Sequence, residues 1–307
     1  MTSPPLARRT ASLDWASLAT LRLRARAVAD GVFAGMHPST RRGSGVEFGG
    51  HRPYVPGDDL RLLDRRAMAR HDKPYLRELQ TETDRALRLL VDASASMAFR
   101  GDQAKASKID YASMLAAALT RVALASGDPI GLEIIGGEGA RGLPASGGRE
   151  AFERVVATLE GVRASGDASA DLAALDRALA PIARRARRGA VIVFFSDLVD
   201  LPPDALRRFS ALATGGRMLL AVRVLSPEEA TFPYDGPVRL RAVEGGGEVE
   251  TDPLAVRQGY LDALEEIATA WSTRLAGRGG RLVRAITTDD PVDVVRKILF
   301  AASAGTR

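Results

Sequence analysis

Residues 87–97 read LRLLVDASASM: an apolar run, broken only by Arg88, that stops at Asp92 and continues as the alternating hydroxyls Ser94 and Ser96. A second apolar run, AVIVFF (Ala190–Phe195), ends in the same way, at Ser196-Asp197. An unbroken apolar run such as Ala190–Phe195 suits a strand covered on both faces. In an open α/β sheet, ligands bind beyond the carboxyl ends of the strands. Two strands are therefore expected to deliver side-chain oxygens to one rim. Hard oxygen donors of this kind suit magnesium, which prefers octahedral geometry and keeps several waters. Asp and Ser also gather after strands as turn and cap residues. The pentapeptide alone leaves both readings open, and the second strand ending in Ser196-Asp197 favours the metal.

Outward from these two strands the chain alternates. Helical patterns over Lys108–Ser126, Glu150–Leu159, Asp171–Arg187 and Asp204–Ala213 are interleaved with strand patterns over Pro129–Ile135 and Met218–Leu225. Asp252-Pro253 and Asp290-Pro291 each read as an N-cap followed by proline in the first turn. Leu261, Leu264, Ala268, Trp271 and Leu275 form one apolar stripe at helical spacing. Such alternation predicts an α/β fold, a doubly wound, mostly parallel sheet flanked by helices. Upstream, residues 1–17 read as a loose tail, 16–32 as a helix and 60–70 as a short helix, with a Gly- and Pro-rich stretch over 36–59. The division expected is an N-terminal tail and segment over 1–85 and the α/β domain over 86–303.

The 307 residues suffice for a large core, and 46% apolar with 26% charged is ordinary for a globular chain. Without cysteine there is no disulfide, thiolate metal site or cysteine nucleophile. Histidine is confined to His37, His51 and His71, which argues against an imidazole-rich metal site. No apolar segment reaches the ~18 residues that span a bilayer, and Asp14 interrupts where a signal peptide needs its apolar centre. A cytoplasmic location is expected. The net charge of +5 belongs to the first part of the chain: residues 1–91 hold 16 Arg/Lys against 10 Asp/Glu, the remainder 27 against 28. Basic segments can bind nucleic acid or an anionic membrane. A solvated arm is favoured here, because no aromatic platform accompanies the charge.

The spaced motifs together resemble a known family. The Asp-x-Ser-x-Ser loop and the later Asp197 are similar to the metal-ion-dependent adhesion site of von Willebrand factor A domains. The stretches RRGSGVEFGGHRPYVPGDDLRLLD (Arg41–Asp64), Ala69-Arg70, YLRE (Tyr75–Glu78), DASASM and RAITTDDPVDVVRKIL (Arg284–Leu299) resemble the bacterial domain-of-unknown-function 58 family. Several motifs in order, over roughly residues 40–300, are far more specific than one. The resemblance implies a von Willebrand factor A-like, Rossmann-like fold. It implies Mg2+ or Mn2+ held by Asp92, Ser94, Ser96 and Asp197, with the open coordination position filled by a partner's carboxylate. The family's middle loop supplies a threonine; here the segment is SGDASADLAALDRAL, where Ser169 offers a hydroxyl but the alignment of Asp-Leu puts Ala170 in that place. A second departure is Arg65, where the family commonly has tryptophan. The implied partners are a MoxR-type AAA ATPase and its client proteins. Many relatives carry N-terminal membrane helices that are not seen in this sequence.

Other signals carry less. Gly137, Gly139 and Gly142 fit G-x-G-x-x-G, but Leu-Pro-Ala-Ser-Gly-Gly intervenes where a dinucleotide loop must open into a helix. There is no G-x-x-x-x-G-K-[ST] loop. Ser94 or Ser96 as nucleophile would need a histidine base, and the histidines all precede the core. The Gly- and Arg-rich loop 41–52 could cradle an anion or simply pack. The expected function is a non-enzymatic, magnesium-dependent protein-interaction module for chaperone-like assembly or activation of partner proteins. The alternatives are a metal-dependent hydrolase or phosphatase at the same rim, and a nucleic-acid binder through the basic N-terminal segment.

Overall fold

The apolar runs of the sequence become the centre of one sheet. The computed structural model describes residues 15–35, 51–53, 75–77, 86–138, 142–167, 172–199, 201–202, 204–236, 238–241 and 247–303. The expected helix over 60–70, Arg65, Gly139, Ser169 and Ala170 lie outside the described residues, as do most of the tail and the Gly- and Pro-rich stretch.

Contacts divide the chain into two compact units, residues 40–84 and the remainder. Of the first unit the structure describes one antiparallel pair, β1 (His51–Pro53) with β2 (Tyr75–Arg77). The second unit holds a six-stranded sheet. Its strands are β3 (Leu87–Asp92), β4 (Ile130–Ile135), β5 (Leu143–Ser146), β6 (Val191–Ser196), β7 (Met218–Leu225) and β10 (Arg281–Ile286), in the order β10-β7-β6-β3-β4-β5. All pairings are parallel except β4 with β5 at the edge. This is the doubly wound order expected from the alternation. A separate hairpin, β8 (Val238–Arg241) with β9 (Glu248–Thr251), was not evident from the sequence.

Helices cover both faces. One face packs α1 (Leu21–Gly35), α2 (Lys108–Ala125), α3 (Arg149–Gly161) and α8 (Pro291–Ser303) over Leu89, Val91, Val193, Phe195, Leu220 and Val222. The other packs α4 (Leu172–Arg185), α5 (Ala205–Leu212) and α7 (Pro253–Ala276) over Leu90, Ile192, Phe194, Leu219 and Ala221. The two strand sets alternate along the chain, as the two-residue period of a strand requires. The helix expected near the N-terminus therefore belongs to the main body: Ala25, Val28, Ala29 and Val32 are buried in its core, and Trp15 packs against Tyr111 with ring centroids 5.8 Å apart.

Local chemistry fixes the helix starts. Ser107 Oγ accepts the Asp110 N–H at 3.2 Å to begin α2, and Asp252 Oδ1 accepts the Leu254 N–H at 3.0 Å to begin α7. Asp290 Oδ1 does the same for the Val292 N–H of α8 at 2.8 Å. Leu264, Ala268, Trp271 and Leu275 of the apolar stripe are buried; Trp271 joins a stacked pair, Phe194 on Phe209, whose centroids lie 4.0 Å apart. Among the described residues, no helix is long and apolar enough to cross a membrane.

The sheet has one switch point. From β3 the chain moves outward to β4 and β5, and it returns to β6 on the other side of β3 before moving on to β7 and β10. The helix after β3 lies on one face and the helix after β6 on the other. The carboxyl ends of β3 and β6 therefore flank the crevice where doubly wound sheets bind ligands.

Candidate metal centre

Asp92 ends β3 and Ser196 ends β6, with Asp197 immediately after, so the switch point brings together Asp92 and Asp197 from positions far apart in the chain. Both carboxylates are buried. Each is held by a backbone amide two residues on: Asp92 Oδ1 accepts the Ser94 N–H at 2.9 Å, and Asp197 Oδ1 accepts the Val199 N–H at 3.0 Å. This is the Asx turn that makes Asp favourable after a strand.

Ser196 ties the two loops together. Its hydroxyl donates to Asp92 Oδ2 at 2.7 Å and accepts the Leu198 N–H at 2.9 Å. Leu198 is held at φ 63, in the left-handed region that side chains other than glycine rarely adopt, while its side chain is buried in the core. Strain of this kind persists only where the surroundings over-determine it.

The first loop turns through a short 3-10 segment, Ala95–Ala98, anchored by buried Met97. That turn sets Ser94 Oγ and Ser96 Oγ 3.2 Å apart, Ser94 buried and Ser96 half-buried. The loop is stitched to its neighbours by backbone bonds: Ser165 N–H to the Ala93 carbonyl and Ala95 N–H to the Gly166 carbonyl, each 2.9 Å. Residues 163–166, which lead toward the expected middle loop, thus lie against the Asp-x-Ser-x-Ser turn. Of the glycines singled out in the sequence, Gly137 serves this packing, together with its neighbour Gly136. Gly136 and Gly137 adopt φ 69 and 75 beside Ala93 and Ser94, and the chain then enters the antiparallel β5 rather than a helix. A dinucleotide loop is excluded by that path.

Burial, and then the charge of Asp197, push the Asp92 carboxyl up from 3.8 to about 6, against the lowering pull of its bonds from Ser196 and Ser94. A buried carboxylate displaced in this direction is short of positive charge. The two serine oxygens are spaced like neighbours in a magnesium shell, since adjacent oxygens of an octahedron with ~2.1 Å bonds lie about 3 Å apart. Donor type, hydroxyl spacing and unbalanced charge fit a small divalent cation. Among the described residues no group of three or more His, Cys, Asp or Glu side chains could hold a metal. Any cation here would rely on the serine hydroxyls.

One participant was missed in the sequence. Lys108, in the first turn of α2, is fully buried and donates to Asp197 Oδ2 at 2.7 Å and to Glu229 Oε1 at 2.5 Å. Burial opposes its charge, but Asp197 and Glu229 outweigh that and hold its pKa above the ordinary lysine value. Glu229 is itself fixed by a capping box at the start of α6 (Pro227–Thr231): its Oε2 accepts the Ser226 N–H at 2.8 Å, and its own N–H donates to Ser226 Oγ at 3.2 Å. The available sequence signal was compositional, a lysine among only four in an arginine-rich chain.

The family model described as "Protein of unknown function DUF58" matches residues 50–269. An uncharacterized protein of Mycobacterium tuberculosis, Rv1480, is 32% identical over 294 residues, covering 94% of this chain and 89% of that protein. Among solved structures, the chain is similar to the conserved hypothetical protein BatB from Bacteroides thetaiotaomicron, with a TM-score of 0.44 and 18% identity over 72% of this chain and 98% of that one. It is also similar to the SpRpn10 VWA domain, with a TM-score of 0.38 and 14% identity over 69% and 94%.

Proposed function

The chain belongs to the DUF58 protein family, and from that premise we propose that it is a non-enzymatic protein-interaction module that uses a divalent cation at the Asp92 rim to capture a carboxylate of a partner protein. The observation that carries this reading is the meeting of Asp92 and Asp197 at the switch point, beside two serine hydroxyls at octahedral spacing. Ser94 and Ser96 would hold magnesium or manganese directly, and Asp92 and Asp197 would supply the balancing charge. Ser169 is the hydroxyl proposed to complete the set. The bound ion would supply an open coordination position, which a partner carboxylate fills.

Several of the described residues at the rim position these groups. Ser196 orients Asp92, the Val199 and Ser94 amides orient the two carboxylates, and the buried core behind β3 and β6 keeps both loops in place. Lys108 does not offer a general base at the rim. The basic side chain at the site, Lys108, is held as an ammonium by two carboxylates and has no free lone pair to accept a proton. The hydrolase reading is accordingly the weaker one.

The proposed partner is a MoxR-type AAA ATPase, with this chain acting in the assembly or activation of a client. Co-sedimentation of the purified chain with such an ATPase, in magnesium and in EDTA, tests the reading. Association that requires the metal supports it, and turnover of phosphoesters by the chain alone would overturn it.

A further inference from the structure

Asp92 and Asp197 bring four carboxylate oxygens to the candidate centre, and their hydrogen-bond partners are not alike. Both oxygens of Asp92 accept from neutral donors, the Ser94 amide and the Ser196 hydroxyl. Asp197 accepts from one neutral amide, that of Val199, and from the ammonium of Lys108 at 2.7 Å. The charge of Asp92 is therefore left for an incoming cation, whereas that of Asp197 is already matched within the protein. Lys108 cannot simply swing into solvent, because its side chain is 1% exposed and its amine also bonds Glu229. Glu229 in turn is locked by Ser226.

We propose that Lys108 is a built-in competitor of the divalent cation: its ammonium neutralises Asp197 in the metal-free protein, and Glu229 sets how firmly it does so. This rests on the metal reading above and assigns to Lys108 and Glu229 a role in tuning that site. A buried carboxylate paired with an ammonium attracts a second cation less strongly than a free one, and the two cations repel across a low-dielectric interior. The centre then binds magnesium weakly on its own, and a partner carboxylate, by adding negative charge, favours occupancy. Lys108 thereby links metal binding to partner binding.

Magnesium titrations by calorimetry, with thermal denaturation in parallel, test this on the full chain. Lys108→Met should tighten magnesium binding about tenfold or more and should melt at a lower temperature without metal than with it. Lys105→Met removes the same charge from an exposed position three residues away and should shift affinity less than about twofold. Glu229→Gln leaves Lys108 wholly to Asp197 and should weaken magnesium binding about threefold or more. That opposite sign carries the test should Lys108→Met fail to fold. Magnesium binding that depends on Asp92 but is unchanged in Lys108→Met and Glu229→Gln overturns the inference and leaves the metal reading intact. Absence of any Asp92-dependent magnesium binding, in the wild type and all variants, overturns both.

Discussion

The Ser196 hydroxyl reaches across two neighbouring parallel strands to donate to Asp92 Oδ2 at 2.7 Å, so the last residue of β6 orients the last residue of β3. The same oxygen accepts the Leu198 amide that begins the strained turn after Asp197. One side chain thus couples both loops of the candidate centre. Ser196→Ala should destabilise the fold by about 1–3 kcal/mol, the usual cost of leaving a buried acceptor unpaired. Urea denaturation measures that cost. Ser196→Thr, which keeps the hydroxyl, should recover part of it.

Gly137 stands at φ 75 with no room for a side chain: an added Cβ would meet Ala93 Cβ at 2.7 Å and the Arg163 carbonyl at 2.9 Å. Gly137→Ala should cost about 1 kcal/mol or more and should also weaken magnesium binding, because Ala93 lies between Asp92 and Ser94. Paired denaturation and calorimetric curves check both effects. Gly215→Ala, at a comparable φ of 68 but with open space around it, should cost stability alone.

Core and surface should respond very differently. Phe209 stacks on Phe194 with centroids 4.0 Å apart and lies against Trp271, so Phe209→Ala should cost about 3–5 kcal/mol. The exposed pair Arg284–Glu265 should contribute under about 1 kcal/mol despite its short contacts, and less in high salt. Chemical denaturation of Phe209→Ala and Arg284→Ala at low and high salt separates these expectations.

The sequence made β3 and β6 legible because strands buried on both faces cannot hide their apolar runs, and the polar residues that end them stand out. The starts of α7 and α8 were readable for a local reason as well, an Asp whose carboxylate caps the next turn. What escaped depends on distance along the chain. Lys108 meets Asp197 and Glu229 only because α2, the β6 tip and α6 converge at the switch point, and no spacing rule joins residues so far apart. β5 and β10 were hidden for another reason: as edge strands they are partly exposed, and their apolar signal is diluted by proline, arginine and serine. The sequence reading assigns the helix over 16–32 to an N-terminal segment apart from the α/β domain, yet α1 packs into the core through small residues, Ala25, Val28 and Ala29, set among arginines.

The most direct test is a calorimetric titration of magnesium and manganese into the wild type and Asp92→Ala, each with and without a MoxR-type AAA ATPase. The account predicts metal binding by the wild type that strengthens when the ATPase is present, with both the metal heat and the association lost in Asp92→Ala. Association that is equal with and without metal, and equal in Asp92→Ala, would contradict it.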